Sequence, residues 1–103
     1  MFGQVRKASV EIKKATVSGK VLDENDHPLI HVSVSVIGKS IGILTNDSGK
    51  FTIKVQPGRP FALEFSYTGY KTLQRNFNLL EGENETITVQ LQRQQNEIGR
   101  AHV

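Results

Sequence analysis

Apolar and polar residues alternate in short runs along most of the chain. The clearest run covers residues 31–37, where Val32, Val34 and Val36 are separated by serines. Successive side chains of an extended strand point to opposite faces, so this run predicts a strand with its valines inward and its serines outward. Comparable runs predict seven strands in all, at residues 16–22, 31–37, 42–45, 50–55, 61–67, about 70–79 and 85–91.

Clusters of Asp, Asn, Gly and Pro separate these runs, at residues 23–28, 46–49, 56–60, 69–70 and 81–84. In the second cluster, Asn46 and Asp47 can bond their own backbone, and Gly49 accepts a positive φ, which suits a hairpin turn. Gly69 is likewise expected to serve a turn. Seven short strands at this spacing predict an all-β, antiparallel two-layer sandwich without a helix of useful length.

Strand alternation also predicts which side chains form the core. The predicted core contains Val17, Val21, Val32, Val34, Val36, Phe51, Ile53, Leu63, Phe65, Ile87 and Val89.

Composition fits a single small domain and narrows its chemistry. The chain has 103 residues, of which 37% are hydrophobic, and a formal charge of +3. The basic residues are scattered and only Lys13 and Lys14 are adjacent, so we expect no nucleic-acid partner. The absence of Cys excludes disulfides, Cys-based zinc sites and thiol catalysis. No run approaches the roughly 20 apolar residues of a membrane helix, so we expect no direct membrane insertion.

The two ends are interpreted separately from the domain. Residues 1–15 are expected to form an N-terminal arm or an early start of the first strand, and they lack the apolar core of a signal peptide. Residues 16–92 are expected to form the sandwich, and residues 93–103 a disordered tail. The end from about Ile98 to Val103 resembles a translated sequencing adapter. This interpretation predicts a fragment whose parent protein continues, with no stable place in the sandwich for residues from about Gln92.

Several polar groups are weighed as sites, and a structural role is favoured for each. Asn46, Asp47 and Ser48 offer oxygen ligands for calcium, but a hydrogen-bonded turn needs the same residues. The acidic residues Asp23, Glu24 and Asp26 could bind a cation or act as a catalytic carboxylate pair. The favoured interpretation is a solvated loop.

The remaining candidates are weaker. His27 and His31 are four apart, but on a loop and a strand rather than one helix face, which disfavours a zinc pair. Ser33 and Ser35 have no base nearby. Tyr67 and Tyr70 could stack on a sugar, but Tyr67 is expected in the core and Tyr70 at a corner of the sandwich. We therefore predict no catalytic, cofactor-binding or metal-binding residue.

Three blocks of sequence and the closing strand resemble those of the carboxypeptidase-regulatory-like domains. Residues 17–25 with Pro28-Leu29 are similar to the family's G-x-V-x-D strand and G-x-P-L turn, although Asp26-His27 replace its usual Gly and short residue. Residues 42–51 resemble its T-D-x-x-G-x-F hairpin, with Asn46 in place of Asp. Residues 63–71 resemble its L-x-F-S-x-x-G-Y-K block, and residues 86–91 its final strand.

The resemblance implies a transthyretin-like (prealbumin-like), immunoglobulin-like sandwich without catalytic residues or cofactors. Such domains commonly stand at the N-terminus of SusC-type TonB-dependent outer-membrane receptors of Bacteroidetes-like bacteria. It therefore implies a periplasmic or outer-membrane location, as an accessory domain of a nutrient (glycan) transporter. The implied partners are proteins of the envelope: the rest of the receptor, TonB or a surface lipoprotein. The isolated domain is expected to be monomeric.

Two alternatives stay open because this kind of sandwich carries many roles. One is a carbohydrate-binding or adhesion module of a secreted or surface protein, which would need an exposed aromatic platform such as Tyr70 with Phe61. The other is a regulatory domain fused to a peptidase.

Overall fold

The computed structural model describes residues 12–94, which fold into seven strands in two layers. The strands are β1 (Ala15–Leu22), β2 (Ser33–Val36), β3 (Gly42–Leu44), β4 (Lys50–Val55), β5 (Phe61–Ser66), β6 (Leu73–Phe77) and β7 (Asn84–Gln90). A three-stranded sheet has the order β4-β1-β7, and a four-stranded sheet has the order β3-β2-β5-β6. The predicted all-β sandwich is confirmed.

One ladder of the three-stranded sheet is parallel. Strand β1 pairs antiparallel with β4 and parallel with β7, whereas all three ladders of the four-stranded sheet are antiparallel. Because β1 and β7 run in the same direction, the start of the first strand and the end of the last lie at opposite ends of the sandwich. Alternation within strands cannot show this, since it is the same for both directions of pairing.

The core lies between the two sheets, and its buried side chains agree closely with the predicted set. Phe51 and Phe65, from facing sheets, meet edge to face with ring centroids 5.7 Å apart. Among the described residues the buried apolar side chains are Ala15, Val17, Val21, Val32, Val34, Val36, Phe51, Ile53, Val55, Leu63, Phe65, Leu79, Val89 and Leu91. The predicted inward faces of the strands are therefore confirmed, because a shift of one residue would have turned the core positions of each strand outward.

Ile87 is the exception in the predicted core. It packs against the core but is only half-buried. It lies on the edge strand β7, opposite Gly19, and this glycine offers no side chain to cover it. A Cβ placed on Gly19 would overlap the main-chain carbonyl of Ile87, so the two strands approach closely only because residue 19 is glycine.

Some strand boundaries differ from the prediction for backbone reasons. Strand β2 begins at Ser33 rather than residue 31, because His31 has a φ of 61°, which breaks the extended chain. Strand β6 begins at Leu73, since the preceding segment turns at Gly69, whose φ is 89°. The turn role predicted for Gly69 is confirmed.

The sandwich continues past residue 92. The Lys71 N–H donates to the Gln92 carbonyl and the Gln94 N–H to the Gly69 carbonyl, each at 2.8 Å. The expectation that residues from Gln92 have no stable place is therefore wrong for residues 92–94. The sequence signal was misleading because these contacts use main-chain groups, which a polar side-chain pattern does not report. The predictions for residues 1–11 and 95–103, including the adapter-like end, lie outside the described residues.

Candidate functional site

The outer surface of the three-stranded sheet carries three lysines and a set of hydroxyl groups. The register places Lys20 directly opposite Lys50, and Lys54 opposite Thr16. Between these pairs lie Ser18 and its neighbours on the flanking strands, Thr52 and Thr86. We call this surface the cationic face. Its outward-facing residues are Thr16, Ser18, Lys20, Leu22, Lys50, Thr52, Lys54, Asn84, Thr86, Thr88 and Gln90, and none is acidic.

In the described part of the chain, no carboxylate neutralises the lysines of the cationic face. Within residues 12–94, none of them forms an ion pair, and the single pair present joins His27 to Asp23. Lys20 and Lys50 lie directly opposite each other, and like charges placed in this way destabilise a ladder. An open depression of about 360 Å³ lies over this part of the sheet, bordered by both lysines and by Ser18, Thr52 and Thr88.

A second depression lies where the edges of the two sheets meet, beside β4. Its volume is about 460 Å³, and it is lined by Ile43, Leu44, Asn46, Lys50, Phe51 and Thr52. Leu44 is 59% exposed, whereas Phe51 belongs to the core. This depression therefore combines an apolar surface with the lysine at the start of β4.

The acidic loop after β1 connects to other parts of the domain through hydrogen bonds of its carboxylates. The Asp23 carboxylate accepts hydrogen bonds from the main-chain N–H groups of Asn25 and His27, at 2.8 and 2.9 Å. The bond from His27 is the main cause that holds the pKa of Asp23 below its ordinary value. Glu24 accepts from the Arg93 N–H at 2.9 Å, and Asp26 from the side-chain amide of Gln90 at 3.0 Å.

Each of these carboxylates thus has a separate protein partner, in the loop itself, at the end of β7 or in the segment that follows it. They fasten the β1–β2 loop to the C-terminal segment. Carboxylates directed at different donors do not form the convergent oxygen set that a cation requires.

The turn before β4 is also internally bonded. The Asn46 side-chain oxygen accepts from the N–H groups of Ser48 and Lys50, each at 2.9 Å. The Gly49 N–H donates to the Asn46 carbonyl at 2.8 Å, with φ of 73° at the glycine. The interpretation of residues 46–49 as a hydrogen-bonded hairpin turn is confirmed.

The histidines and serines are not brought together into a reactive group. His27 Nδ1 lies 3.7 Å from an Asp23 carboxylate oxygen. The main-chain N–H of His31 donates to the Thr45 carbonyl at 3.0 Å, and the His31 side chain is exposed. Ser33 and Ser35 lie on the outer side of the four-stranded sheet. In the described part of the chain, no three His, Asp or Glu side chains converge on a common point.

The aromatic residues of the carbohydrate alternative are engaged with other side chains. Tyr67 and Tyr70 are half-buried with ring centroids 5.7 Å apart, and the Arg93 guanidinium lies 5.4 Å from the centre of the Tyr70 ring. Phe61 is stacked on Phe77 at 5.3 Å. The corner role predicted for Tyr70 agrees with this packing, but Tyr67 is less buried than predicted. Tyr70 and Phe61 each use part of their ring surface in contacts within the domain, which reduces the aromatic surface open to a sugar.

Sequence reasoning missed Thr45 and Arg93. The Thr45 hydroxyl is buried, donates to the Leu29 carbonyl at 2.7 Å and accepts from the Val32 N–H at 2.9 Å. Threonine is common in strands, so the sequence carried no signal for this bonding. Arg93 was assigned to the tail, although its N–H and guanidinium both contact the sandwich.

The sequence of the sandwich matches a known domain family. The model of the CarboxypepD_reg-like domain matches residues 17–103. The chain belongs to this family. CarboxypepD_reg-like domains are regulatory, non-catalytic β-sandwiches. No curated protein matches the chain in sequence.

Solved structures share the fold at low sequence identity. A 3-chlorocatechol 1,2-dioxygenase from Rhodococcus opacus superposes with a TM-score of 0.65 at 12% identity, covering 82% of this chain and 61% of the enzyme. The minor pilin GBS52 of Streptococcus agalactiae gives 0.63 at 12%, covering 82% and 47%. A cohesin–X-dockerin complex from Acetivibrio cellulolyticus gives 0.58 at 16%, covering 77% and 58%. The chain thus spans about half to three fifths of these proteins, and the likeness shows the fold alone.

No helix in residues 12–94 has the length and hydropathy needed to cross a membrane.

Proposed function

We propose that this CarboxypepD_reg-like domain is a non-catalytic interaction domain of a bacterial cell-envelope protein. More specifically, it forms the periplasmic N-terminal extension of a TonB-dependent outer-membrane transporter for glycan-type nutrients. Its work is to hold a stable sandwich in a fixed place and to present a surface to another envelope protein.

The observation that carries this proposal is the family match combined with the bonding of the polar clusters. The carboxylates of Asp23, Glu24 and Asp26 bond groups of their own loop, of the last strand and of the segment after it. Asn46 serves its own turn. Each of these side chains therefore has a partner within the domain, which supports a structural role for both clusters. The lysines of the cationic face have no ion-pair partner among the described residues, and their charge suits recognition of another protein.

The parallel ladder between β1 and β7 supports a position of the domain between two other segments of a longer protein. Strand β1 has eight residues and so spans about 26 Å at about 3.3 Å per residue. Because β7 runs alongside in the same direction, the chain reaches the sandwich at one end and leaves it at the other. This path places the segment before β1 and the segment after β7 at opposite ends of the domain, which is compatible with an extension in front of a membrane-embedded barrel.

The transporter context is supported by the resemblance of residues 17–91 to domains at the N-terminus of such receptors. The test is the uninterrupted genomic reading frame around this sequence, together with fractionation of cells that produce the full-length parent protein. We expect a signal peptide upstream, a plug and barrel downstream, and recovery with the outer membrane. A frame that encodes a peptidase, or a parent protein recovered in the cytoplasm, would overturn the proposal.

A further inference from the structure

Strand β4 has unpaired main-chain groups along one edge. The Val21 N–H donates to the Gly49 carbonyl, so alternate residues from Gly49 onward direct their N–H and C=O groups at β1. The groups of the residues between them face away. Those of Lys50 bond to Asn46 in the turn. Within residues 12–94, the main-chain groups of Thr52 and Lys54 have no such partner, and they form a free strand edge.

The other long edge strands are protected against pairing, whereas β4 is not. On β6, Arg75 lies opposite buried Leu63 and therefore on the core side of the sheet. On β7, Glu85 lies opposite buried Val17 in the same manner. An inward-pointing charge on an edge strand disfavours the approach of a further strand, which would desolvate it. The core side of β4 carries Phe51, Ile53 and Val55, which are all buried and apolar.

The lysines of β4 decide which strand can approach. A second copy of β4 would bring Lys50 and Lys54 against the same residues of its partner, which like-charge repulsion disfavours. A strand with Asp or Glu at alternate positions would instead meet both lysines, with Lys20 one strand further in. The exposed Leu44 and the depression it lines offer an apolar surface for the residues between the acids.

We propose that the β4 edge binds an extended acidic segment of another protein, which adds to the three-stranded sheet as a fourth strand. Its acidic side chains face Lys50 and Lys54, its apolar side chains cover the depression between β3 and β4, and its main chain bonds Thr52 and Lys54. Main-chain bonds supply affinity in this type of recognition, and the alternating side chains supply specificity. The proposal rests on the proposed function in taking the partner to be a protein of the cell envelope.

The test uses the full 103-residue chain and two synthetic eight-residue peptides. One alternates glutamate with valine, and the other alternates lysine with valine. Titration is followed by NMR of the backbone amides at low and at physiological salt. We expect the acidic peptide to bind at least tenfold more tightly than the basic one. On binding, hydrogen exchange of the Thr52 and Lys54 amides should slow at least tenfold, because they become donors in a ladder.

Two variants separate charge from strand addition. Exchange of both β4 lysines for glutamate (K50E/K54E) should reverse the peptide preference, whereas the matched change K39E/K71E at exposed lysines elsewhere should leave it intact. Thr52→Pro removes one edge-facing N–H without removing a bond to β1, and should weaken binding at least tenfold. Melting curves establish that each variant is folded; should Thr52→Pro unfold the domain, the exchange measurement and the charge reversal decide.

Three results would overturn the proposal. One is equal binding of both peptides by the native chain and by K50E/K54E. Another is acidic-peptide binding without slower exchange at Thr52 and Lys54, which would indicate a polyanion held by charge alone. The third is pairing of two copies of the chain through β4. None of these results bears on the reading frame or the membrane fraction of the parent protein, so the two proposals fail separately.

Discussion

Thr45 is the buried polar residue of the described chain, with 1% of its surface exposed. Its hydroxyl joins the Leu29 carbonyl to the Val32 N–H, and its own N–H and C=O bond Val32 and His31. The loop before β2 is therefore held to the end of β3 by one side chain. At this scale the fold depends on polar groups that are satisfied inside the protein, because an unpaired buried donor or acceptor is costly.

Thr45→Val should destabilise the domain by about 1–3 kcal/mol, because the buried Val32 N–H and the part-buried Leu29 carbonyl lose their partner. Thr45→Ser keeps the hydroxyl and should retain most of the stability. The free energy of unfolding from urea titration measures both. Equal stability of Thr45→Val and the native chain would show that these two groups find other partners.

Asp23 links stability to acid pH. Its pKa is lowered in the folded protein, chiefly by the hydrogen bond from the His27 N–H. The unfolded chain therefore takes up this proton first as the pH falls. The resulting stabilisation is complete above the ordinary aspartate value of about 3.9 and is lost as the pH falls through the lower folded value.

The melting temperature of Asp23→Asn should accordingly fall less than that of the native chain between pH 6 and pH 2.5. Asp47→Asn is the matched control, since the Asp47 side chain makes no hydrogen bond within residues 12–94. It should follow the native profile. Parallel melting profiles for the native chain and Asp23→Asn would contradict this role.

At the scale of elements, the central strand β1 depends on its closeness to β7. Gly19 sits where the two chains approach, and its missing side chain leaves room for the Ile87 carbonyl. The parallel ladder between these strands covers seven residue pairs, so a local separation would affect most of the edge strand.

Gly19→Ala should cost at least about 1–3 kcal/mol, because the added methyl group displaces main chain rather than a flexible side chain. Gly42→Ala is the control: its nearest contacts would be 3.3 Å from the added Cβ, and it lies on the short edge strand β3. Urea titration and the amide exchange of β7 report the effect. An undisturbed β7 in Gly19→Ala would show that the ladder can widen without loss.

At the scale of the whole molecule, residues 92–94 are joined to two loops of the sandwich by hydrogen bonds. The Glu24 carboxylate accepts a hydrogen bond from the Arg93 main-chain N–H, and main-chain hydrogen bonds join Lys71 to Gln92 and Gln94 to Gly69. Leu91, just before them, is buried in the core at 1% exposure. The end of the chain is thus part of the domain's packing through Gln94.

A chain that ends at Gln90 should be less stable than one that ends at Gln94 by about 2–5 kcal/mol, as expected when a buried leucine side chain is lost. Both chains lack residues 95–103, so their difference isolates residues 91–94. Thermal melting of the two provides the measurement, and coincident melting curves would exclude a packing role for this segment.

The sequence by itself determined the strands and their inward faces. Alternation is a local property, and burial of one face of each strand is enough to reproduce it, which is why Val34, Phe65 and their neighbours were predicted correctly. Turn chemistry is local as well: Asn46 bonds groups two and four residues away. The three sequence blocks that resemble the CarboxypepD_reg-like family are also short local patterns. They indicated which type of sandwich the strands form.

Only the tertiary structure decided how the strands meet. The parallel direction of β7, the free edge of β4 and the grouping of Lys20 with Lys50 all depend on neighbours distant in sequence. The same holds for Thr45 and for residues 92–94, whose partners lie in other loops. Strand alternation has the same period whichever strand lies alongside, so a docking edge becomes visible only when the sheet order is known.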